Sequence, residues 1–104
     1  MELYKSVYEQ FILIIKKLCP KYLEQIQNSL VVDEAGYKLG YFKEPMYSFS
    51  LKIEKVDYDR IKNYINNLRE EAIKDGIFDD EKYSLFDDLS DFMIILTMIN
   101  DENK

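Results

Sequence analysis

The stretch SLVVDEAGYKLGYFKEPMYSFSLKIEK, residues 29–55, decides between an all-helical chain and a mixed one. Within it Met46–Lys55 alternates, with Tyr47, Phe49, Leu51 and Ile53 on one side and Ser48, Ser50, Lys52 and Glu54 on the other. Successive side chains leave a strand on opposite faces, so a period of two predicts a half-buried antiparallel strand. Upstream, Ser29–Glu34 and Tyr37–Lys43 flank Ala35-Gly36, which reads as a hairpin turn with Gly supplying a positive φ. Glu44-Pro45 makes the next connection. The result is a three-stranded antiparallel meander with a polar outer face, and its other face needs helices to cover it.

The flanking segments have helical spacing. Leu3, Val7, Phe11, Ile14 and Leu18 share one face with Tyr4, Tyr8 and Ile15, while Glu9, Lys16 and Lys17 lie opposite, which predicts a helix over 3–18. Pro20 ends it, or starts a short continuation through Gln27. Beyond the meander, Asp57 is placed to cap a helix, with Val56 and Ile61 set for a hydrophobic staple. Ile61, Tyr64, Ile65, Leu68 and Ala72 form its apolar stripe, and Gly76 is a suitable residue to stop it. Asp79 or Asp80 then caps a further helix carrying Leu85, Leu89, Phe92, Met93 and Leu96 on one side. From Phe92 to Ile99 the acidic side also becomes apolar. Helix is preferred there, buried all round, with a buried fourth strand as the alternative because Ile94, Ile95, Thr97 and Ile99 are β-branched. The expected class is therefore α+β: an N-terminal helix, the meander, then two C-terminal helical segments packed on one face, in a single domain over residues 1–104.

Composition excludes several functions. Hydrophobic residues make up 47% and charged residues 33%, a globular balance. There is no His, which removes the commonest general base and zinc ligand, and Cys19 is the only cysteine. One cysteine rules out an internal disulfide, fits a reducing cytoplasm, and reads as inert core. No Gly-rich phosphate loop, nucleophile elbow or calcium-loop pattern is present, so neither an enzyme, a metal site nor a cofactor is expected. No apolar run approaches the roughly 20 residues a membrane span needs, and the start MELYKSVYEQ lacks the pattern of a signal peptide.

The charge is uneven. Net charge is −6 overall, but residues 1–30 carry +1, residues 31–70 balance, and residues 71–104 carry −7. Such a tail repels a phosphate backbone, which argues against direct nucleic-acid binding, and attracts a basic protein. On a helical wheel Asp80, Asp87 and Asp91 fall within about 40° of one another, with Asp88 at the edge and Asp79 beside the cap. Like charges at this spacing destabilise an isolated helix, so a carboxylate ladder matched to Lys and Arg is one explanation. A solvated face, with Asp80 as a cap, is the plainer one. Tyr83 lies beside these acids and could anchor a partner. The other eight tyrosines fall mostly at core-facing positions.

Several short motifs follow one another in an order that resembles the YezG-like bacterial immunity proteins. They are Leu3-Tyr4 near the start of a helix, CPKYLEQI (Cys19–Ile26), the hairpin, YSFSLKI (Tyr47–Ile53) and LREE (Leu68–Glu71). The resemblance covers residues 3–75. The aromatic-led closing segment of that family has no clear counterpart after Asp91, and no functional residue carries over. It implies a protein that neutralises a cognate toxin, often a nuclease, by binding it, and it lends weight to a strand over Phe92–Ile99. Together these features predict a non-catalytic acidic inhibitor of a basic protein, a toxin or nucleic-acid-processing enzyme from a bacterium or phage. It would bind through Asp79, Asp80, Tyr83, Asp87, Asp88 and Asp91, as a monomer or weak dimer. The alternative is a structural or homo-oligomeric module that uses the apolar C-terminal segment.

Overall fold

The computed structural model of the chain, which describes residues 2–74 and 86–96, begins with a strand rather than a helix. Strand β1 (Glu2–Tyr4) precedes helix α1 (Lys5–Leu18). The cause lies far along the chain. Tyr4 makes no capping bond of its own. Instead the Glu44 carboxylate accepts from the Ser6 backbone N–H and from the Ser6 hydroxyl, each at 2.9 Å. Lys5 N–H donates to the Pro45 carbonyl at 3.1 Å. A carboxylate at a helix N-terminus satisfies orphan donors and complements the helix dipole. With α1 begun at Lys5, residues 2–4 are free to pair with the strand that follows Pro45.

The sheet has three antiparallel strands in the order β1-β3-β2, with β2 at Val31–Asp33 and β3 at Met46–Ser48. Leu3 faces Tyr47 on one side of β3, and Val32 faces Tyr47 on the other. The α+β class holds, with an N-terminal helix, a three-stranded antiparallel sheet and C-terminal helices. The membership of the sheet differs from the expected meander: Tyr37–Lys43 contributes no strand, and Glu2–Tyr4 replaces it. Asp33 explains why. Its carboxylate accepts from Ala35 N–H at 3.0 Å, turning the chain into a short helix α3 (Ala35–Lys38). Gly40, at φ 81°, ends that turn. Gly36 serves a different purpose from the one expected, since a Cβ there would collide with the ring of Phe42.

Between α1 and β2 lie a single 3-10 turn, Pro20–Tyr22, and helix α2 (Leu23–Ser29). After Ser48 the alternation predicted for Met46–Lys55 persists without a third partner strand. Phe49, Leu51 and Ile53 are buried while Ser50, Lys52 and Glu54 are exposed. The backbone here is held by side chains of α2. The Ser29 hydroxyl accepts from Ser50 N–H at 2.9 Å and lies 3.1 Å from the Ser50 carbonyl. The Gln25 amide accepts from Lys52 N–H and donates to the Lys52 carbonyl. Residues four apart on a helix face thus bind backbone groups two apart on an extended chain, as a neighbouring strand would. Aromatic contacts tie α1 to the same region, with Phe11 stacked on Phe49 at 5.9 Å and Tyr8 4.7 Å from Tyr47.

By its contacts the chain divides into two compact units, Met1–Lys52 and Ile53–Lys104. The first buries Leu3, Val7, Phe11, Ile14, Ile15, Cys19, Tyr22, Ile26, Phe49 and Leu51. In the second, helix α4 runs over Lys55–Lys74. It starts two residues before the expected cap, so Asp57 sits in its first turn; Tyr58 N–H donates to the Glu54 carbonyl at 2.9 Å. Ile61 and Ile65 of the predicted stripe are buried, and Tyr64 and Leu68 are half-buried. Residues 86–96 are helical (α5), which answers the helix-or-strand question for 92–96; residues 97–99 lie outside the described residues. Leu89, Phe92, Met93 and Leu96 are buried, and the buried Tyr58 hydroxyl donates to the Met93 carbonyl at 2.8 Å. Each such apolar side chain stabilises the fold by about 1.5–3 kcal/mol through burial. The expected stop at Gly76 and the caps at Asp79 and Asp80 lie outside the described residues.

Candidate protein-interaction surfaces

Helix α5 is two-sided because its apolar residues recur at 89, 92, 93 and 96, spacings of three and four that fill one face. The other face carries Asp88, Asp91, Ile94 and Ile95, all exposed. The end of this helix is therefore not apolar all round in burial: Ile94 is 56% exposed and Ile95 47%. Two β-branched apolar residues on a solvent face, next to two carboxylates, give a surface that is half charged and half apolar.

Asp87 has a different position. Its Oδ1 lies 3.4 Å from Nη2 of Arg69 on α4, with both side chains partly exposed. That ion pair joins two helices of the second unit, and pairs of this exposure contribute at most about 1 kcal/mol. Asp88 stands where the carboxylates crowd. Partial burial raises its carboxyl above the ordinary carboxylate range, and the negative charges of Asp91 and Asp87 push it further the same way. A cation brought to this face would relieve that repulsion. Of the six residues expected to bind a partner, the structure thus places Asp88 and Asp91 together on an exposed face and Asp87 beside them in an ion pair. Asp79, Asp80 and Tyr83 lie outside the described residues.

The first unit carries a surface that periodicity did not reveal. Tyr37, Leu39, Tyr41 and Phe42 are exposed within six residues, with Leu39 at 71% and Tyr41 at 78%. The expected strand over Tyr37–Lys43 would have buried half of them. In the short turn of α3 and the loop after it they face solvent instead, and the ring of Phe42 has Tyr4 as a neighbour at 6.3 Å. Val31 and Val32 of the edge strand β2 are exposed as well. The usable signal was Asp33 followed two residues later by Ala35-Gly36, an Asx-type turn opening rather than a hairpin.

Among the described residues no group of three or more acidic, Cys or His side chains could hold a metal ion, and no helix is long and apolar enough to cross a membrane. Cys19 is buried, as expected of a core cysteine. Comparison of the chain with protein families, with curated proteins and with solved structures found no match in any of the three.

Proposed function

We propose that the protein is a non-catalytic acidic inhibitor that binds and neutralises a basic protein, as a toxin-immunity protein does against a nuclease-type toxin or as a phage antagonist does against a host factor. The observation that carries this reading is the solvent face of α5, where Asp88 and Asp91 stand exposed above a buried Leu89, Phe92, Met93 and Leu96. A rigid helix holds the two carboxylates about one turn apart, a spacing suited to Lys and Arg of a nucleic-acid groove. The net charge of −6 adds long-range attraction for such a partner. The resemblance of residues 3–75 to YezG-like immunity proteins favours a toxin as that partner.

A pull-down from a bacterial host supplies the partner, and binding kinetics at two ionic strengths test the surface. Asp88→Asn with Asp91→Asn should slow association about tenfold at low salt and flatten its salt dependence, while melting stays level or rises. Unchanged rates in a stably folded double variant would reduce the acids to a solvated face.

A second reading is a homo-oligomeric interaction module using the apolar C-terminal segment. The exposure of Ile94 and Ile95 favours it, since apolar side chains left on a helix surface are what a subunit contact would cover.

A further inference from the structure

The register of the sheet decides which backbone groups of β2 point outward. Lys5 N–H donates to the Pro45 carbonyl, and Lys5 with Pro45 continues the register that sets Leu3 opposite Tyr47. In an antiparallel ladder, pairs that exchange N–H···O bonds alternate with pairs that do not. Since Lys5 and Pro45 are bonded, Leu3 and Tyr47 are as well, and Tyr47 turns its N–H and carbonyl toward β1. Met46 and Ser48 turn theirs the other way, to Asp33 and Val31 of β2. The bonds farther along agree, because Ser50 and Lys52 turn in that direction too, to Ser29 and Gln25. With Val31 and Asp33 bonded inward, the outward groups of β2 and its flanks are the Leu30 carbonyl, the Val32 N–H and carbonyl, and the Glu34 N–H.

The other groups of the two flanking residues are in use. Leu30 N–H donates to the Gln27 carbonyl at 3.4 Å, and the Glu34 carbonyl accepts from Lys38 N–H at 2.9 Å. Among the described residues β2 is the last strand on its side of the sheet, and Val31 and Val32 are 59% and 45% exposed. An edge that carries exposed β-branched residues, with neither Lys nor Pro in it, is a template for another strand. We infer that β2 pairs antiparallel with β2 of a second copy of this chain, about a two-fold axis at Val32.

The outward groups choose the partner. In this register each Val32 exchanges both of its bonds with Val32 of the other copy, and each Glu34 N–H donates to the Leu30 carbonyl of the other. Every outward group is used. An uninterrupted strand from another protein would bring a carbonyl against Leu30 and an N–H against Glu34 that find no partner there. In a second copy those two groups are already bonded within their own chain. The register also keeps like charges apart, since Asp33 lies opposite Val31 and Glu34 opposite Leu30. Residues 1–52 hold seven bases and six acids, so the unit that carries the strand is close to neutral. The contact is isologous and closes as a pair, joining two three-stranded sheets into one. It goes beyond the readings above, because it uses neither the acids of α5 nor Ile94 and Ile95. It is short, so the self-association is weak and concentration-dependent. It contains no ion pair, so salt has little effect on it.

Sedimentation velocity over a concentration series, at low and at high salt, tests this. The wild-type protein should approach the mass of a dimer as concentration rises, alike at both salts. Val32→Pro should keep it monomeric and folded, because the Val32 N–H is no part of the ladder to β3 and proline is tolerated where an edge N–H faces outward. Val32→Lys, which sets two ammonium groups opposite each other, should do the same, and melting curves verify that each variant folds. Cross-linking reads the register. Val32 faces its own copy with Cα atoms about 5.5 Å apart, within disulfide reach, whereas Val31 faces Asp33. With diamide as the oxidant, Val32→Cys should link into dimers several times faster than Val31→Cys. A wild-type protein that stays monomeric up to about 1 mM would overturn the inference. So would dimers that persist in a folded Val32→Pro or Val32→Lys, which would leave self-association to another surface such as Ile94 and Ile95, and so would linking at Val31 as fast as at Val32.

Discussion

Asp88 shows how one side chain reports the field around it. Its carboxyl is raised by partial burial first and by Asp91 and Asp87 after that. A group whose folded pKa is raised favours the folded state when protonated and opposes it when ionised. Asp88 therefore costs stability at neutral pH, and that cost disappears as pH falls through its raised pKa toward the ordinary carboxylate range. Asp88→Asn should raise the melting temperature slightly at pH 7, and the difference from wild type should shrink as pH falls and disappear below the ordinary Asp value of about 3.9. A variant that melts below wild type at pH 7 would mean the carboxylate is held by a favourable contact instead.

Elements in this protein are begun and held by side chains from elsewhere. Helix α1 opens under the Glu44 carboxylate, 38 residues away from the Ser6 it binds. Removing that carboxylate leaves donors at the helix start to water and frees residues 2–4 from their alignment. Glu44→Ala should therefore destabilise the protein by about 1–2 kcal/mol, as loss of a capping residue does. Thermal denaturation reads it, and a melting temperature equal to wild type would show that the cap contributes nothing. Helix α2 acts similarly on the extended segment after β3, where Gln25 and Ser29 hold Lys52 and Ser50. Such bonds explain how a segment can keep the burial pattern of a strand while pairing with a helix.

For the whole molecule, charge is the property with the longest reach. A net −6, concentrated in residues 71–104 of the sequence, sets the sign of the partner it attracts. The purified protein should leave DNA and RNA unshifted on a gel at micromolar concentration and about 0.15 M salt. A shift that survives that salt would require a basic surface strong enough to outweigh the tail, and Lys16, Lys17 and Lys21 would then be the place to look. The apolar patch of Tyr37, Leu39, Tyr41 and Phe42 acts only at contact and does not alter this expectation.

What could be read from the sequence was whatever depends on a residue and its near neighbours. The alternation of Phe49, Leu51 and Ile53 with Ser50, Lys52 and Glu54 reappears as burial and exposure, because side-chain direction along an extended chain is local. The stripe Ile61, Ile65 on α4 and the face Leu89, Phe92, Met93, Leu96 on α5 were legible for the same reason, since helical period places them together. Asp91, with Asp88 at the edge of its face, was legible too, whereas the pairing of Asp87 with Arg69 was not. The exposure of Ile94 and Ile95 was not, because periodicity says which residues share a side and not whether another element covers it. Nor were the strand at Glu2–Tyr4 and the loss of Tyr37–Lys43 from the sheet. Leu3 carries the same helical spacing as Val7, and only the pairing of Leu3 with Tyr47, together with Glu44 at the start of α1, draws it out of the helix. Those partners meet only once the chain has folded back on itself, so tertiary structure alone decided which segments became the sheet.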